Sequence, residues 1–425
     1  MKQLSKIMLA AVASVAIAAP AFAWDFSASG SSSATYKRET VNTGVAGAKD
    51  DVNNAVTSSA GGVTVSSSNT DGANTATFSY TADWNGDAGN FDESVTVSGS
   101  KKVGNWTASS STTQHIQKDV GPADNGAGAT ASTGTDNAST TAYTDAGTST
   151  PAHNYGTARP MSAGNSAVIT LTDGTITYKL GDAAHLSTAE KAVNGPMSGA
   201  QDAEARVDGF NGFSVGLGVG PGTLTVAIDE GHGTAITALG DQSLAIACGG
   251  NGMSFGLNFS GDVGADLSFT YGSGSASADA LGCTGDNSSN AATANTMGLG
   301  VAIPLGGMSL ALDYESSGTT NTAASVESTT SQSGFEISFT MPLSDATLGL
   351  NVSAHANEAS VAGVKTVVGA AAGTELWYSV PIGPVTLAVG YGSSAVAAGC
   401  ATCTAGATVT SAVTTQMGAE MSMSF

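Results

Sequence analysis

The side chains able to do chemistry in this 425-residue sequence are mostly carboxylates: 34 Asp and Glu stand against 13 Lys and Arg. Several of the acids alternate with large apolar residues. Asp313 lies within the series Met308, Leu310, Leu312, Tyr314; Glu336 separates Phe335 from Ile337; Asp229 follows Ile228; Asp266 precedes Leu267, Phe269 and Tyr271; Asp83 adjoins Trp84; and Glu420 separates Ala419 from Met421. A period of two puts the acids on one face of a strand and the apolar residues on the other. Lys179, between Tyr178 and Leu180, holds the same kind of position and is the one clear basic member of the set. Carboxylates sharing a wetted surface attract cations by Coulomb interaction that salt weakens. That is ion handling, and nothing beside it points to catalysis. His115, His153, His185, His232 and His355 fall in loops or at strand ends without spaced partners and are expected to be solvated. The glycine-rich GLGVGPG (216–222) precedes no helical pattern and reads as a turn. Asp50 with Asp51, and Asp262 with Asp266, fall short of the oxygen count calcium prefers, so neither metal nor cofactor is expected, calcium at such acidic loops being the single weak alternative.

The elements that must carry these residues are hairpins. From Arg206 onward, TLTVAIDE, DLSFTY, MSLALDY, GFEISFTM and VTLAVGYG each alternate an apolar with a polar or small residue, and QMGAEMSMSF does so up to the terminal Phe425. Short connections (220–222, 261–264, 305–307, 342–346, 382–384) alternate with long ones near 231–251, 273–295, 316–332, 356–372 and 393–413. Short turns at one end and long loops at the other are the mark of a transmembrane β-barrel. QSLAIA (242–247) breaks the alternation if it spans, and is placed in an outer loop. Upstream, TATFSYTADW and TITYKL are strands of the same type, and 24–36, 61–68, 91–100, 106–115 and 166–172 are Ser/Thr/Gly-rich strands. The expected fold is an all-β, antiparallel transmembrane barrel of about 16 to 18 strands with short periplasmic turns and long extracellular loops.

In lipid a spanning sheet must close, and closing so many strands leaves an interior too wide for side chains to fill. The polar faces then line a water-filled path, with Asp83, Lys179, Asp229, Asp266, Asp313, Glu336 and Glu420 as pore-lining residues and a modest preference for cations.

The remaining features fit export. Lys2 and Lys6 precede an apolar run closed by Ala21-Phe22-Ala23, so residues 1–23 read as a cleaved signal peptide and 24–425 as the barrel. No later apolar run reaches the ~20 residues of a spanning helix. A net charge of −21 disfavours nucleic acid as a partner. Cys248, Cys283, Cys400 and Cys403 form an even set, and disulfides are expected in an oxidising compartment.

The Ala-Phe-Ala site, the acidic small-residue strands, GTITYKLGD, IGPVTLAVGY and the terminal MSMSF together resemble a Gram-negative general diffusion porin. The resemblance implies residence in the outer membrane among lipid and lipopolysaccharide, passive diffusion of small hydrophilic solutes, a homotrimer, and reading of Phe425 by the barrel-assembly machinery. It also implies that a long loop, here 118–165, folds inward, with Asp119, Asp124 and Asp136 facing a basic cluster of Lys37, Arg38, Lys101 and Lys102. With only three arginines in the chain, a dense arginine ladder across the constriction is excluded. A substrate-specific channel and a structural or adhesive surface protein are the competing readings.

Overall fold

The computed structural model describes residues 25–42, 49–85, 90–117, 166–182, 185–187, 189–197, 211–239, 242–278, 291–323, 326–398 and 411–425. The expected signal peptide and the 118–165 loop lie outside them. Eighteen strands follow in chain order: β1 (Asp25–Asn42), β2 (Asp51–Asp71), β3 (Asn74–Asn85), β4 (Asn90–Val103), β5 (Trp106–Gln117), β6 (Ser166–Thr172), β7 (Ile176–Asp182), β8 (Asn211–Val219), β9 (Gly222–Leu239), β10 (Gln242–Asp262), β11 (Asp266–Ala278), β12 (Ala291–Leu305), β13 (Met308–Ala323), β14 (Val326–Leu343), β15 (Ala346–Val361), β16 (Val364–Ile382), β17 (Val385–Ala398) and β18 (Ser411–Ser424). Each pairs with its sequence neighbour, and β1 pairs with both β2 and β18, so the antiparallel sheet closes. The chain divides into two compact units. One comprises residues up to Ala34, Thr57–Ala167 and Ser422–Phe425; the other comprises Thr35–Val56 and Val168–Met421.

Burial in these strands is inverted relative to a water-soluble domain. Leu312, Tyr314, Phe335, Ile337, Leu350, Val352, Leu376 and Tyr391 are exposed, whereas the buried side chains include Asp229, Ser268, Thr270, Asp313, Glu336, Ser338, Asn351 and Glu375. The alternation is regular enough to read along β12, from buried Ala292, Ala294 and Thr296 to the exposed positions between them. An apolar face left outside on successive strands needs hydrocarbon to cover it, because in water it would far exceed the few hundred Å² that a monomer tolerates. The stripe on β13 runs from Met308 through Leu310 and Leu312 to Tyr314, roughly 20 Å along the strand, comparable with the ~25 Å apolar band of a membrane barrel. Just beyond it the outward residue becomes Ser on four strands: Ser316 follows Tyr314, Ser273 follows Tyr271, Ser333 precedes Phe335 and Ser393 follows Tyr391. Aromatic rings at that border are the expected interface girdle.

One end of the strands is closed by tight turns that require left-handed backbone. Gly104, Gly220, Gly306 and Gly383 have φ of 63°, 58°, 61° and 62°, a region a Cβ disfavours. In the β6–β7 turn Asp173 Oδ1 accepts from Thr175 N and Ile176 N, both at 2.8 Å. These backbone donors, that of Ile176 foremost, hold the Asp173 carboxyl below its ordinary range. A depressed folded-state pKa contributes stability that is present above the unfolded value and is lost as pH falls through the folded one. Asp173→Ala is therefore expected to have a heat-unfolding midpoint that falls less on acidification than that of the parent. Parallel midpoint-versus-pH curves would refute this.

The other end differs from the sequence reading. Stretches 316–332 and 356–372, expected as long connections, are mostly strand: β13 and β14 stay paired to Ala323↔Val326, and β15 and β16 to Val361↔Val364. Ala362 and Gly363, with φ of 51° and 76°, make that last turn, the two-residue form a hairpin favours. QSLAIA is the beginning of β10, continuing the β9 hairpin through a register shift. Ladder hydrogen bonds need no apolar face, and hydroxyl pairs such as Thr319–Thr330 at 2.6 Å and Thr329–Ser360 at 2.7 Å link the strands above the apolar band.

Candidate functional site: a strap on the inner wall

Between β7 and β8 the chain does not stay at the rim. Residues 185–187 and 189–197 lie along the polar inner face of β8 and β10–β17, all within the second unit. Such a segment has backbone donors and acceptors with no ladder to join, and the wall supplies partners for them. Asp313 accepts from Lys191 N at 2.8 and 2.9 Å through its two oxygens, and from Ala192 N. Val193 N donates to Ser338 Oγ at 2.9 Å. Glu375 accepts from Gly195 N at 3.0 Å and from Met197 N at 2.6 Å. Asn351 Nδ2 donates to the Val193 carbonyl at 3.4 Å and, in short contacts, to Asn194 Oδ1 and Glu336 Oε1. Nearer β8, Asn258 Nδ2 donates to the Ser187 carbonyl at 3.1 Å while Ser187 Oγ donates to Asn258 Oδ1 at 3.0 Å.

The wall is shaped to receive the strap. A Cβ on Gly300 would stand 1.8 Å from the Ala189 carbonyl oxygen, so only glycine lets the strap lie this close. Trp377 lies over Gly349 and against Gly195, where Cβ atoms would fall 2.1 and 2.2 Å from its ring. Met197, fully buried, closes this corner. Lys191 reaches across to Asp266 at 2.9 Å. Val193 and Ser187 are the exposed residues of the strap.

Of the sequence-derived site residues, Asp313, Glu336 and Asp266 meet at the strap. Asp313 and Glu336 are opposite in the β13–β14 register and both are 0% exposed. Asp229 is buried on β9. Lys179 is half-buried opposite Ser214. Glu420 accepts from Thr35 Oγ1 at 3.2 Å, and Asp83 is exposed opposite Asp92. Lys37 and Arg38 are consecutive on one strand and take opposite faces, as do Lys101 and Lys102 beside the β4–β5 turn, so neither pair forms a one-sided basic cluster. Asp119, Asp124 and Asp136 lie outside the described residues, as do Cys283, Cys400 and Cys403; Cys248 falls in β10. Asp262 Oδ1 accepts from Gly264 N at 2.8 Å and so serves its turn.

Two histidines expected to be solvated are buried instead. His185 Nε2 donates to the Gly181 carbonyl at 2.7 Å, leaving Nδ1 2.8 Å from Ser214 Oγ at the root of the strap. His355 lies over Gly334 with Nδ1 3.2 Å from Glu315 Oε1. Sequence reasoning also missed Glu375 and Trp377. Their signal was available in TELWYSV, where they alternate with Leu376 and Tyr378.

The class defined by this fold is a closed, antiparallel transmembrane β-barrel of 18 strands. No family model matches the chain, and no curated protein does. Solved structures of similar course include an anion-selective porin from Comamonas acidovorans (11% identity over 94% of this chain and 100% of that one, TM-score 0.44). Another is the trimer form of OmpT, an outer membrane protein of Vibrio cholerae (7%, 95% and 99%, 0.43). A third is the outer membrane channel DcaP of Acinetobacter baumannii (9%, 95% and 97%, 0.44). Likenesses at these identities concern the course of the chain, and residue roles do not transfer.

Proposed function

We propose that the protein is an outer-membrane porin that passes small hydrophilic solutes and ions by passive diffusion and modestly favours cations, with tight turns on the periplasmic side. The observation that carries this reading is the inversion of burial on a closed sheet. Apolar side chains face outward over a band of membrane height, and a polar inner face carries a strap held by backbone hydrogen bonds. The strap of residues 185–187 and 189–197 is the constriction, and Lys191 and Val193 border the path. Support for cation preference is the surplus of inner-face acids: Asp229, Asp266, Asp313, Glu315, Glu336, Glu375 and Glu420 against Lys37, Lys102, Lys179 and Lys191. Their effect is modest because Asp313 and Glu375 spend their oxygens on strap amides. The test is conductance in planar bilayers under a potassium chloride gradient. Ohmic unitary steps with a reversal potential of the sign set by potassium are expected. Absence of steps from folded protein would defeat the channel reading, and a potential of the opposite sign would defeat the cation preference.

A further inference from the structure

The outer surface of the second unit carries a groove of about 530 Å³ whose lining includes Tyr36, Arg38, Leu376, Tyr378, Tyr391 and Met417. Its floor follows the ladder: Leu376 is opposite Tyr391, and Tyr378 is opposite Val389. These belong to the outward face, with Tyr36, Leu376, Tyr391 and Met417 all about half exposed. Arg38 is exposed on that face, and among the described residues it has neither a hydrogen-bond nor an ion-pair partner. It stands one outward step beyond Tyr36, in a groove shared with Tyr391, the residue at which β17 passes from apolar to Ser on its outer side. The guanidinium is therefore at the border of the apolar band, on the side away from the tight turns. A cation on the lipid face is costly at mid-membrane and nearly free at that border, where lipid head groups begin.

Taking the barrel to span a membrane, as argued above, we propose that this groove binds a phosphorylated lipid of the leaflet away from the tight turns. The phosphate lies against Arg38, and an acyl chain lies over Leu376, Tyr391 and Met417. A guanidinium offers a planar fork of donors that matches phosphate oxygens two at a time. The tyrosine rings suit an interface where one end is apolar and the other wet. A second copy of the same face is a poorer occupant, because no lining residue of the groove is a carboxylate that could meet Arg38.

The test uses the full chain in detergent with phosphatidic acid or phosphatidylcholine added, retained lipid being read by native mass spectrometry and conductance being measured on the same preparations. Wild type is expected to retain phosphatidic acid in preference to phosphatidylcholine. Arg38→Gln should lower that retention by roughly tenfold, as expected on loss of a charge-assisted bidentate pair, while Arg38→Lys restores part of it. Conductance of all three should be equal. Equal phosphatidic acid retention by wild type and a normally conducting Arg38→Gln overturns the lipid site and leaves the channel intact. An oligomer that dissociates in Arg38→Gln without any change in lipid retention also overturns it, in favour of a second copy. Loss of conductance in wild type, by contrast, defeats the channel and not the groove.

Discussion

Replacing Asp313 and Glu375 together by alanine is expected to enlarge the unitary conductance by roughly half again or more, since pore conductance follows the open cross-section at the narrowest point. Four strap amides, those of Lys191, Ala192, Gly195 and Met197, donate to these two carboxylates. At about 1.5–3 kcal/mol for each hydrogen bond to a charged group, the pair contributes about 6–12 kcal/mol. Fixing the backbone of residues 189–197 costs about 1–2 kcal/mol per residue, or about 9–18 kcal/mol in all. The carboxylates thus supply a large part of what holds the strap down, beside the contacts at Ser338, Asn351, Asn258 and Met197 and the Lys191–Asp266 pair. Asp313→Asn, which keeps an acceptor oxygen, should change conductance much less. A second measurement separates release from collapse: trypsin should cut after Lys191 in the double variant and spare it in wild type, while the barrel stays folded by circular dichroism. Unchanged conductance together with a protected Lys191 would show that the strap is anchored by something else.

That anchoring explains why the strap was illegible in the sequence. Strands such as MSLALDY and GFEISFTM announce themselves because hydrocarbon selects the residue type at every second position, and those strands lie where the period put them. The strap is selected differently. Its partners on the moving side are backbone amides, which every residue except proline possesses, so residues 185–197 carry no periodic signature that a reader could match to Asp313 or Glu375. On the wall side the requirement appears as small residues, and Gly300 or Gly349 among 56 glycines is one glycine like another until Ala189 and Trp377 are placed against them. The strand extensions above the band were hidden for a related reason. Neither face of Ser317–Thr322 carries a large apolar side chain, so no alternation marks it even though the ladder continues. His185 and His355 looked unpartnered because Ser214 and Glu315 are 29 and 40 residues away along the chain. Among the acids read as lining a pore, Asp313 and Asp266 hold the strap where the sequence suggested only that they met water.

The largest effect on the barrel itself is expected from charge placed on the outer stripe. Leu312 is 39% exposed in the middle of the β13 stripe, and its in-register neighbour on β14 is Ile337. If hydrocarbon covers that face, Leu312→Arg should destabilise the membrane-inserted barrel by about 2–4 kcal/mol, the cost measured for Arg near the bilayer midplane. Leu312→Arg combined with Ile337→Arg should cost more than the sum, because two guanidinium groups then stand directly opposite across one strand pair, where like charges repel. Ser309→Arg, on the inner face of the same strand, should cost within about 0.5 kcal/mol of nothing, as for a solvated surface site. Urea unfolding of the three variants from lipid vesicles gives the comparison directly. The contrast between faces is what matters. A water-filled exterior with a dry interior would reverse it, making Ser309→Arg the damaging change and Leu312→Arg nearly silent, and with that reversal the transmembrane barrel and the channel through it would both be lost.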